Sequence, residues 1–169
     1  MGVVDTEALA RQARQMARDE FVARHGNLYL VISEHADKLN IGFETAVVSN
    51  FSSGKLMKQV AASVDFELLE VSKAPGNPYP DRISVGRARN CDVVMRDPSV
   101  SKLHAHFRLR EAGKLDLVDQ GSANGTRVNG RVIAVNAPEW VGPGDTILFG
   151  AVSARLVDSD GLFDLLQTS

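Results

Sequence analysis

The amino-acid sequence predicts a mainly β domain that follows a smaller α/β part and precedes a short helix. From Asp65 to Val157, short apolar runs alternate with period two and are separated by turns rich in Gly, Pro and Asn, which is the pattern of an all-β domain. Before Asp65 the pattern is first helical and then mixed. We therefore divide the chain into an N-terminal extension at 1–63, a β domain at 64–157 and a C-terminal helix at 158–169.

The extension begins with an amphipathic helical pattern. Asp5 or Thr6 can cap a helix over Thr6–Arg24, which has an apolar stripe at helical spacing, and Gly26 is placed to end it. Three further elements are predicted in this part: strands at Leu28–Ile32 and Phe43–Val48, and a helix at Lys55–Ala62. We expect a small folded α/β extension, and the sequence does not identify its role.

The β domain is predicted from its apolar runs and from the turns between them. Prolines make Ala74–Pro80 a loop, and Asn124-Gly125 and Asn129-Gly130 indicate tight turns because both residue types accept positive φ. The predicted strands include Phe66–Val71, Cys91–Met95, Ala105–Leu109 and Leu115–Val118. After Val157, the run Asp158–Leu166 predicts a short capped helix with apolar side chains to bury.

The charge balance argues against nucleic acid and anionic membranes as partners. The chain of 169 residues has a net charge of −2, and residues 64–157 carry 12 basic and 11 acidic side chains. No run approaches the roughly 18 apolar residues that span a bilayer, and we expect no signal peptide because Arg and Gln residues at 11–15 interrupt the first apolar stretch. Cys91 is the only cysteine, and we interpret it as a packing residue. These observations favour a cytoplasmic protein, and we expect its source to be bacterial.

Three polar clusters stand at the ends of predicted strands: Gly86-Arg87, Ser101-Lys102-Leu103-His104 and Ser122–Thr126. Strands that lie close together bring their connecting loops to one end of a sheet. An Arg fork, a hydroxyl, a Lys and an amide gathered there are the groups that a phosphate and an adjoining peptide backbone need. The sequence therefore predicts a protein that reads phosphorylation and does not catalyse a reaction.

These clusters resemble the motifs of the forkhead-associated (FHA) domain. The resemblance is carried by Ile83–Val94, Ser101-x-x-His104, Asn124-Gly125-Thr126 and Gly144–Gly150, and it extends from about Phe66 to Val157. It implies a mainly β, FHA-type β-sandwich of about eleven strands that binds phosphothreonine peptides through loops at one end. The chain is identified on these motifs as a bacterial protein with a single FHA domain.

The resemblance also implies a role for each matching residue. Arg87 binds the phosphate through its guanidinium, Ser101 donates its hydroxyl, and Lys102 adds charge or a backbone N–H. Asn124 pairs with the main chain of the ligand beside the phosphothreonine. Structural support of the site falls to Gly86, His104, Gly125 and Thr126.

Selectivity for the residues around the phosphothreonine is expected from the variable loops. The candidate residues of this kind are Arg89, Asn90, Arg96 and Ser122. One position departs from the family, because Ala123 stands where Ser or Thr is common. The loss of that hydroxyl leaves the strength of binding open.

The expected partners are phosphothreonine-containing proteins, either substrates of a Ser/Thr kinase or the kinase itself, with no cofactor and no metal. A hydrolase using Ser101 and His104 is disfavoured, because no Gly-x-Ser-x-Gly turn and no orienting Asp are evident. A metal site is disfavoured because the histidine pair lacks a third ligand at a suitable spacing; the side chains considered were His104, His106, Cys91, His25 and His35. The remaining alternative is a scaffold of the same fold that binds an unmodified partner, with the N-terminal extension as the candidate binding surface.

Overall fold

Two β-sheets form the body of the molecule. A computed structural model describes residues 4–33, 66–110 and 114–168. The described strands are β1 Leu28–Ser33, β2 Phe66–Val71, β3 Arg82–Gly86, β4 Val93–Val94, β5 Ala105–Leu109, β6 Leu115–Asp119, β7 Thr126–Val128, β8 Arg131–Val132, β9 Glu139–Val141, β10 Thr146–Phe149 and β11 Val152–Val157. The described helices are α1 Thr6–Gln15, α2 Arg18–Arg24 and α3 Ser159–Thr168. The predicted C-terminal helix is therefore present.

The strands are arranged as one sheet of six and one sheet of five. The six-stranded sheet has the order β2-β1-β11-β10-β7-β8, and the five-stranded sheet has the order β4-β3-β5-β6-β9. β3 and β4 pair in parallel, and the other paired strands named here are antiparallel. The predicted mainly β sandwich of about eleven strands is confirmed.

The main hydrophobic core lies between the two sheets. Alternate residues of β3, β5, β6 and β10 point inward, so that Phe107 and Leu117 of the five-stranded sheet meet Ile147 and Phe149 of the other. The rings of Phe107 and Phe149 lie 6.4 Å apart in an edge-to-face arrangement. Each such side chain stabilises the fold by about 1.5–3 kcal/mol through its burial. The period-two pattern of the sequence thus corresponds to inward and outward faces.

A second core covers the outer face of the six-stranded sheet. Tyr29 and Leu68 point outward from β1 and β2 and pack under the helices. The helical side chains of this cluster include Leu9, Ala13, Phe21, Leu162 and Leu166. The unbroken apolar run of β1 follows from this arrangement, because the strand is buried on both of its faces.

The predicted single helix over Thr6–Arg24 is wrong in one respect. The backbone is extended at Met16 and Ala17, so the segment forms α1 and α2 with a break between them. The break lets Phe21 pack edge-to-face on Phe163 of α3, with ring centroids 5.4 Å apart. Asp5 is the N-cap, since its Oδ1 accepts a hydrogen bond of 3.0 Å from the N–H of Ala8.

Strand β1 belongs to the sandwich although it comes from the predicted extension. It pairs with β2 on one side and with β11 on the other. The boundaries at 63 and 157 stay predictions, and so does any separate role for the extension. The predicted strand at Phe43–Val48 and helix at Lys55–Ala62 lie outside the described residues.

The strand predicted over Cys91–Met95 is reduced to the two residues of β4. The N–H of Cys91 instead closes a turn onto the Ala88 carbonyl at 3.1 Å, and the N–H of Asp92 donates to Ser84 Oγ at 2.9 Å.

In the described parts of the chain, no helix is long and apolar enough to cross a membrane.

Candidate functional site

Three loops meet at one end of the sandwich: 87–92 after β3, 95–104 before β5, and 120–125 between β6 and β7. We call the surface that they form the rim. The N–H of Arg87 donates to the Ser101 carbonyl at 3.0 Å, and the N–H of Gln120 donates to the His104 carbonyl at 2.9 Å. The three polar clusters that stand apart in the sequence are thereby brought together.

Gly86 permits the close approach of two of these loops. A Cβ atom at this position would lie 2.3 Å from the carbonyl oxygen of Lys102, which is far inside van der Waals contact. The N–H of the next residue but one, Ala88, donates to the same carbonyl at 3.1 Å. Only glycine therefore fits where β3 passes the Ser101–His104 segment.

His104 joins the second loop to the third. Its side chain is fully buried, with Nδ1 accepting from the N–H of Ser101 at 3.1 Å and Nε2 3.0 Å from the Gly125 carbonyl. Burial lowers the pKa of His104, with a smaller opposing effect from the hydrogen bond to Gly125. A neutral ring with its proton on Nε2 satisfies both contacts, and this tautomer is assigned from the hydrogen-bond network.

Arg87 is held at one nitrogen and exposed at the others. Its Nε donates to the carbonyl of Val100 at 3.0 Å, and the described residues give its terminal nitrogens no hydrogen-bond partner. The nearby Ser101 Oγ accepts from the N–H of Ala123 at 2.9 Å, which leaves the hydroxyl proton able to donate outward. The rim therefore presents a positioned guanidinium fork beside a hydroxyl donor.

Asn124 and Lys102 lie on the same rim. Asn124 is exposed, and its Nδ2 donates to the carbonyl of Ser99 at 2.8 Å, which fixes the orientation of the amide. Gly125 follows it with φ of 79°, a value that favours glycine in this turn. Lys102 is exposed, and its carbonyl also accepts from the Cys91 thiol at 3.3 Å.

Asp119 organises the third loop and was missed by the sequence reasoning. One oxygen accepts from the N–H groups of Gly121 and Ser122 at 2.8 and 2.9 Å, and the other accepts from the hydroxyls of Ser122 and Thr126, both at 2.6 Å. Burial by itself raises the pKa of Asp119, but these hydrogen bonds outweigh it and the net pKa lies below its usual value. The sequence signal was an Asp followed two and three residues later by Gly and Ser, the pattern of an Asx-turn.

Asp92 holds the base of the first loop in the same way. It is 2 % exposed and accepts from the N–H groups of Ala74 and Ser84 at 2.7 and 2.8 Å and from Asn77 Nδ2 at 2.7 Å. Burial raises the pKa of Asp92, and the hydrogen bonds together with the charge of Lys73 lower it to a net value below the usual range. The loop at 74–80 is thus fixed onto β3.

The candidate selectivity residues differ in their exposure. Arg89, Asn90 and Arg96 are exposed around the rim, whereas the Ser122 hydroxyl is engaged by Asp119. Leu103, which the sequence reasoning did not assign to selectivity, is 49 % exposed between Lys102 and His104. It places an apolar side chain at the rim.

The alternatives of a hydrolase and a metal site gain no support from the geometry. The backbone N–H of Ser101, and not its hydroxyl, contacts the His104 ring, so the pair lacks a nucleophile–base hydrogen bond. Burial raises the pKa of the Cys91 thiol, which also donates to Lys102. Among the residues at 4–33, 66–110 and 114–168, no three His, Cys, Asp or Glu side chains are grouped to hold a metal ion.

Comparison with known proteins identifies a family for the segment that contains the rim. Residues 83–150 match the FHA domain profile. The chain is 50 % identical over 46 residues to glycogen accumulation regulator GarA of Mycolicibacterium smegmatis, a match that covers 27 % of this chain and 28 % of that protein. It is 46 % identical over 46 residues to the oxoglutarate dehydrogenase inhibitor of Corynebacterium efficiens, covering 27 % and 32 %.

The chain therefore matches less than a third of the length of each of these two relatives. A solved structure described as an engineered FHA with Myc-pTBD peptide superposes with a TM-score of 0.51 at 19 % identity, covering 84 % of this chain and 99 % of that one. This likeness concerns the fold, and it agrees with the two-sheet architecture.

Proposed function

We propose that this chain, which carries an FHA domain over residues 83–150, binds phosphothreonine-containing segments of partner proteins at the rim. The observation that carries the proposal is the arrangement of Arg87, which is anchored through Nε alone and presents the rest of its fork beside Ser101. A guanidinium held in this way is ready for two parallel hydrogen bonds to one phosphate.

The rim offers several hydrogen-bond donors and positive charges for the oxygens of a bound phosphate. Phosphothreonine carries about −1.5 to −2 charges and three acceptor oxygens. Arg87 supplies the charged fork, Ser101 supplies a hydroxyl whose oxygen is already fixed by Ala123, and Lys102 adds a second positive charge. A hydrogen bond to a charged group is worth about 1.5–3 kcal/mol, so the removal of Arg87 is expected to weaken binding by about one to two orders of magnitude.

Asn124 is proposed to hold the peptide backbone beside the phosphothreonine. The hydrogen bond to Ser99 uses one N–H of its amide and leaves Oδ1 and the second N–H for a ligand. Such pairing grips an extended segment whatever its side chains are. A preference for Thr over Ser then depends on contact with one methyl group, worth about 0.8 kcal/mol by area.

Ala123 limits the affinity of the site. It contributes only its backbone N–H, and that group is already bonded to Ser101. Compared with a Ser or Thr at this position, the rim has one hydroxyl fewer for the phosphate. We therefore propose moderate affinity, with specificity supplied by the surrounding side chains.

The proposed role is that of a non-catalytic adaptor in Ser/Thr kinase signalling, acting in the cytoplasm. Its partners are proposed to be proteins phosphorylated on threonine, either kinase substrates or a kinase itself. The names of the two relatives, a regulator of glycogen accumulation and an inhibitor of oxoglutarate dehydrogenase, support regulation by binding.

The test is a screen of phosphothreonine peptides, with matched phosphoserine and unmodified peptides. Wild type is compared with Arg87→Ala and with Arg127→Ala, which removes an exposed arginine of the six-stranded sheet. Binding selective for phosphothreonine that falls by about ten- to a hundredfold in Arg87→Ala alone supports the proposal. Equal binding of unmodified peptides, or of a partner before and after phosphatase treatment, would favour the scaffold alternative instead.

A further inference from the structure

The outer face of the five-stranded sheet carries a row of four side chains that are directly opposite one another. Arg82 of β3 is in register with Arg108 of β5, Arg108 with Asp116 of β6, and Asp116 with Trp140 of β9. The row points away from the core, because the inward positions beside it hold Ile83, Phe107 and Leu117. It crosses four strands and so spans about 14 Å.

Positive charge is concentrated at one end of this row. Arg82 and Arg108 face each other, and like charges directly opposite on a strand pair are destabilising. The acidic neighbour of Arg108, Asp116, is already ion-paired with Arg110. Asp81 lies 3.8 Å from Arg82 Nε with both side chains exposed, a geometry that contributes little.

His106 adds a third nitrogen group to the same face. It stands two residues before Arg108 on β5, opposite Ser84 of β3, and is 4 % exposed. Its Nδ1 lies 2.7 Å from Gln120 Nε2, which is a donor, so Nδ1 accepts and the proton of the neutral ring is on Nε2. Burial lowers the pKa of His106, as do the charges of Arg82 and Arg108, which agrees with a neutral ring.

Three buried N–H donors without acceptors come together here. Across the described part of the chain, the individual side-chain nitrogen and oxygen atoms that are buried and lack any hydrogen-bond partner are Arg82 Nε, His106 Nε2 and Arg108 Nε, although both arginine side chains are partly exposed. Folded proteins leave few such groups unpaired, and each one calls for an acceptor. We call Arg82, His106 and Arg108 the basic face.

We propose that the basic face is a second docking surface, separate from the rim, that binds a carboxylate of an extended acidic segment of a partner protein. The guanidinium groups of Arg82 and Arg108, whose side chains are partly exposed, supply donors for its oxygens, and the imidazole N–H of His106 lies buried beside them. A carboxylate fits better than a phosphate because Asp81 and Asp116 adjoin the face and oppose a second negative charge.

Aromatic side chains at both ends of the row indicate a protein segment and not a free anion. Tyr79 is 60 % exposed with Arg82 over its ring, and Trp140 is 69 % exposed with Lys114 Nζ 4.6 Å from its ring centre. Tyr, Trp and Arg are the residue types enriched at the centres of protein interfaces. A span of about 14 Å accommodates four or five extended residues.

The basic face lies apart from the rim but within reach of the same partner. Arg82 and Gly86 are at opposite ends of β3, about 13 Å apart. A partner bound at both surfaces gains from the raised local concentration of its second segment. The basic face is nevertheless testable without any phosphorylated ligand, so its failure and the failure of the rim are distinguishable.

The test uses the only tryptophan of the chain, Trp140, as a fluorescent reporter at the end of the row. The probes are the capped peptides Leu-Gln-Asp-Gln-Leu and Leu-Gln-Asn-Gln-Leu, which differ by one carboxylate and are titrated at low and at high salt. The proposal predicts that the acidic peptide changes the Trp140 fluorescence in a saturable way and that the neutral peptide binds at least about tenfold more weakly. High salt is expected to weaken the binding of the acidic peptide. Equal binding of the two peptides would overturn it.

Variants of the full chain locate the site. The double variant Arg82→Gln with Arg108→Gln is expected to bind the acidic peptide at least about tenfold more weakly than wild type. The variants Arg127→Gln and Arg87→Ala are expected to bind it as wild type does. Retained binding in the double variant, or its loss in Arg87→Ala, would contradict the proposal. Because the double variant removes opposed charges, we also expect its thermal midpoint to equal or exceed that of wild type, and a lowered midpoint would show that the two arginines are already paired within the chain.

Discussion

Buried side chains beneath the rim determine where its exposed side chains point. Asp119 gathers four donors of the 121–126 turn, and His104 links Ser101 to Gly125. Neither residue is placed to touch a ligand through its own polar atoms, since these are occupied within the fold. The phosphothreonine binding that we propose for the rim therefore depends on residues that a contact map of a complex would not include.

Replacing Asp119 tests this dependence. Asp119→Ala leaves the hydroxyl of the fully buried Thr126 and two backbone N–H groups without their acceptor. We expect a loss of about 2–4 kcal/mol in the free energy of unfolding and at least about tenfold weaker phosphothreonine-peptide binding. Urea unfolding and peptide titration measure the two effects, with the exposed Asp81→Ala as the matched control. Unchanged affinity in Asp119→Ala would show that the turn holds its shape by other means.

Three described histidines with a lowered pKa, of which His104 and His106 are buried and His25 is partly exposed, predict how stability responds to mild acid. Burial is the largest cause that lowers the pKa of His25, His104 and His106. The unfolded chain therefore takes up protons near the ordinary value of about 6.5 while the folded chain does not, so stability is fully present above that pH and is lost below it. The free energy of unfolding is expected to fall between about pH 7.5 and pH 5.5.

His104→Gln supplies the comparison for that pH series. The variant removes one of the groups whose proton uptake favours the unfolded state. We therefore expect the free energy of unfolding of His104→Gln to fall less than that of wild type over the same pH interval. Asp92 and Asp119, whose pKa values are lowered, contribute stability above the ordinary Asp value and lose it only in stronger acid. A flat or rising stability of wild type from neutral to mildly acidic pH would contradict this assignment.

Two strands contribute to both hydrophobic cores of the molecule. β1 and β2 bury one face in the sandwich core and the other under α1, α2 and α3. Phe21 is fully buried in this second core, against Phe163 and beside His25, whose ring lies 4.6 Å away. The helical layer is thus packed as part of the same structure and not as a loosely attached extension.

Phe21→Ala tests whether the two cores unfold together. Loss of a buried Phe is expected to cost about 3–5 kcal/mol. Urea unfolding is followed by Trp140 fluorescence, which reports on the five-stranded sheet, and by far-ultraviolet circular dichroism, with Val22→Ala as the control on the same helix. Both signals should shift together. A tryptophan transition that stays at the wild-type midpoint would mean that the helical layer folds separately.

The sequence predicted those elements whose signals are local. Strand β1, the α3 run and an N-cap at Asp5 or Thr6 were recognisable from neighbouring residues, and the structure identifies Asp5 as the cap. The break at Met16 and Ala17 was not, because the apolar stripe continues through it and the break is explained by packing on Phe163. The strand predicted at β4 was too long, because Asp92 forms hydrogen bonds with Ser84 instead of continuing the strand. This contact depends on the tertiary structure and not on neighbouring residues.

The sandwich presents two surfaces of different chemistry, the rim and the basic face. The rim gathers Arg87, Ser101, Lys102 and Asn124 from three loops, and the motifs at the strand ends made this gathering predictable. The basic face depends on strand register, which places Arg82 opposite Arg108. Register is not readable from a single sequence, so this face was visible only in the structure.

Amide chemical shifts test whether phosphothreonine binds at the rim, as we propose. A ¹⁵N-labelled sample is titrated with the best phosphothreonine peptide of the screen and with its unmodified counterpart. We predict that the phosphopeptide shifts the amide signals of Arg87, Ser101, Lys102 and Asn124, while Tyr29 and Phe21 of the helical side stay unchanged. Shifts confined to the helical side, or identical shifts with the unmodified peptide, would contradict the account.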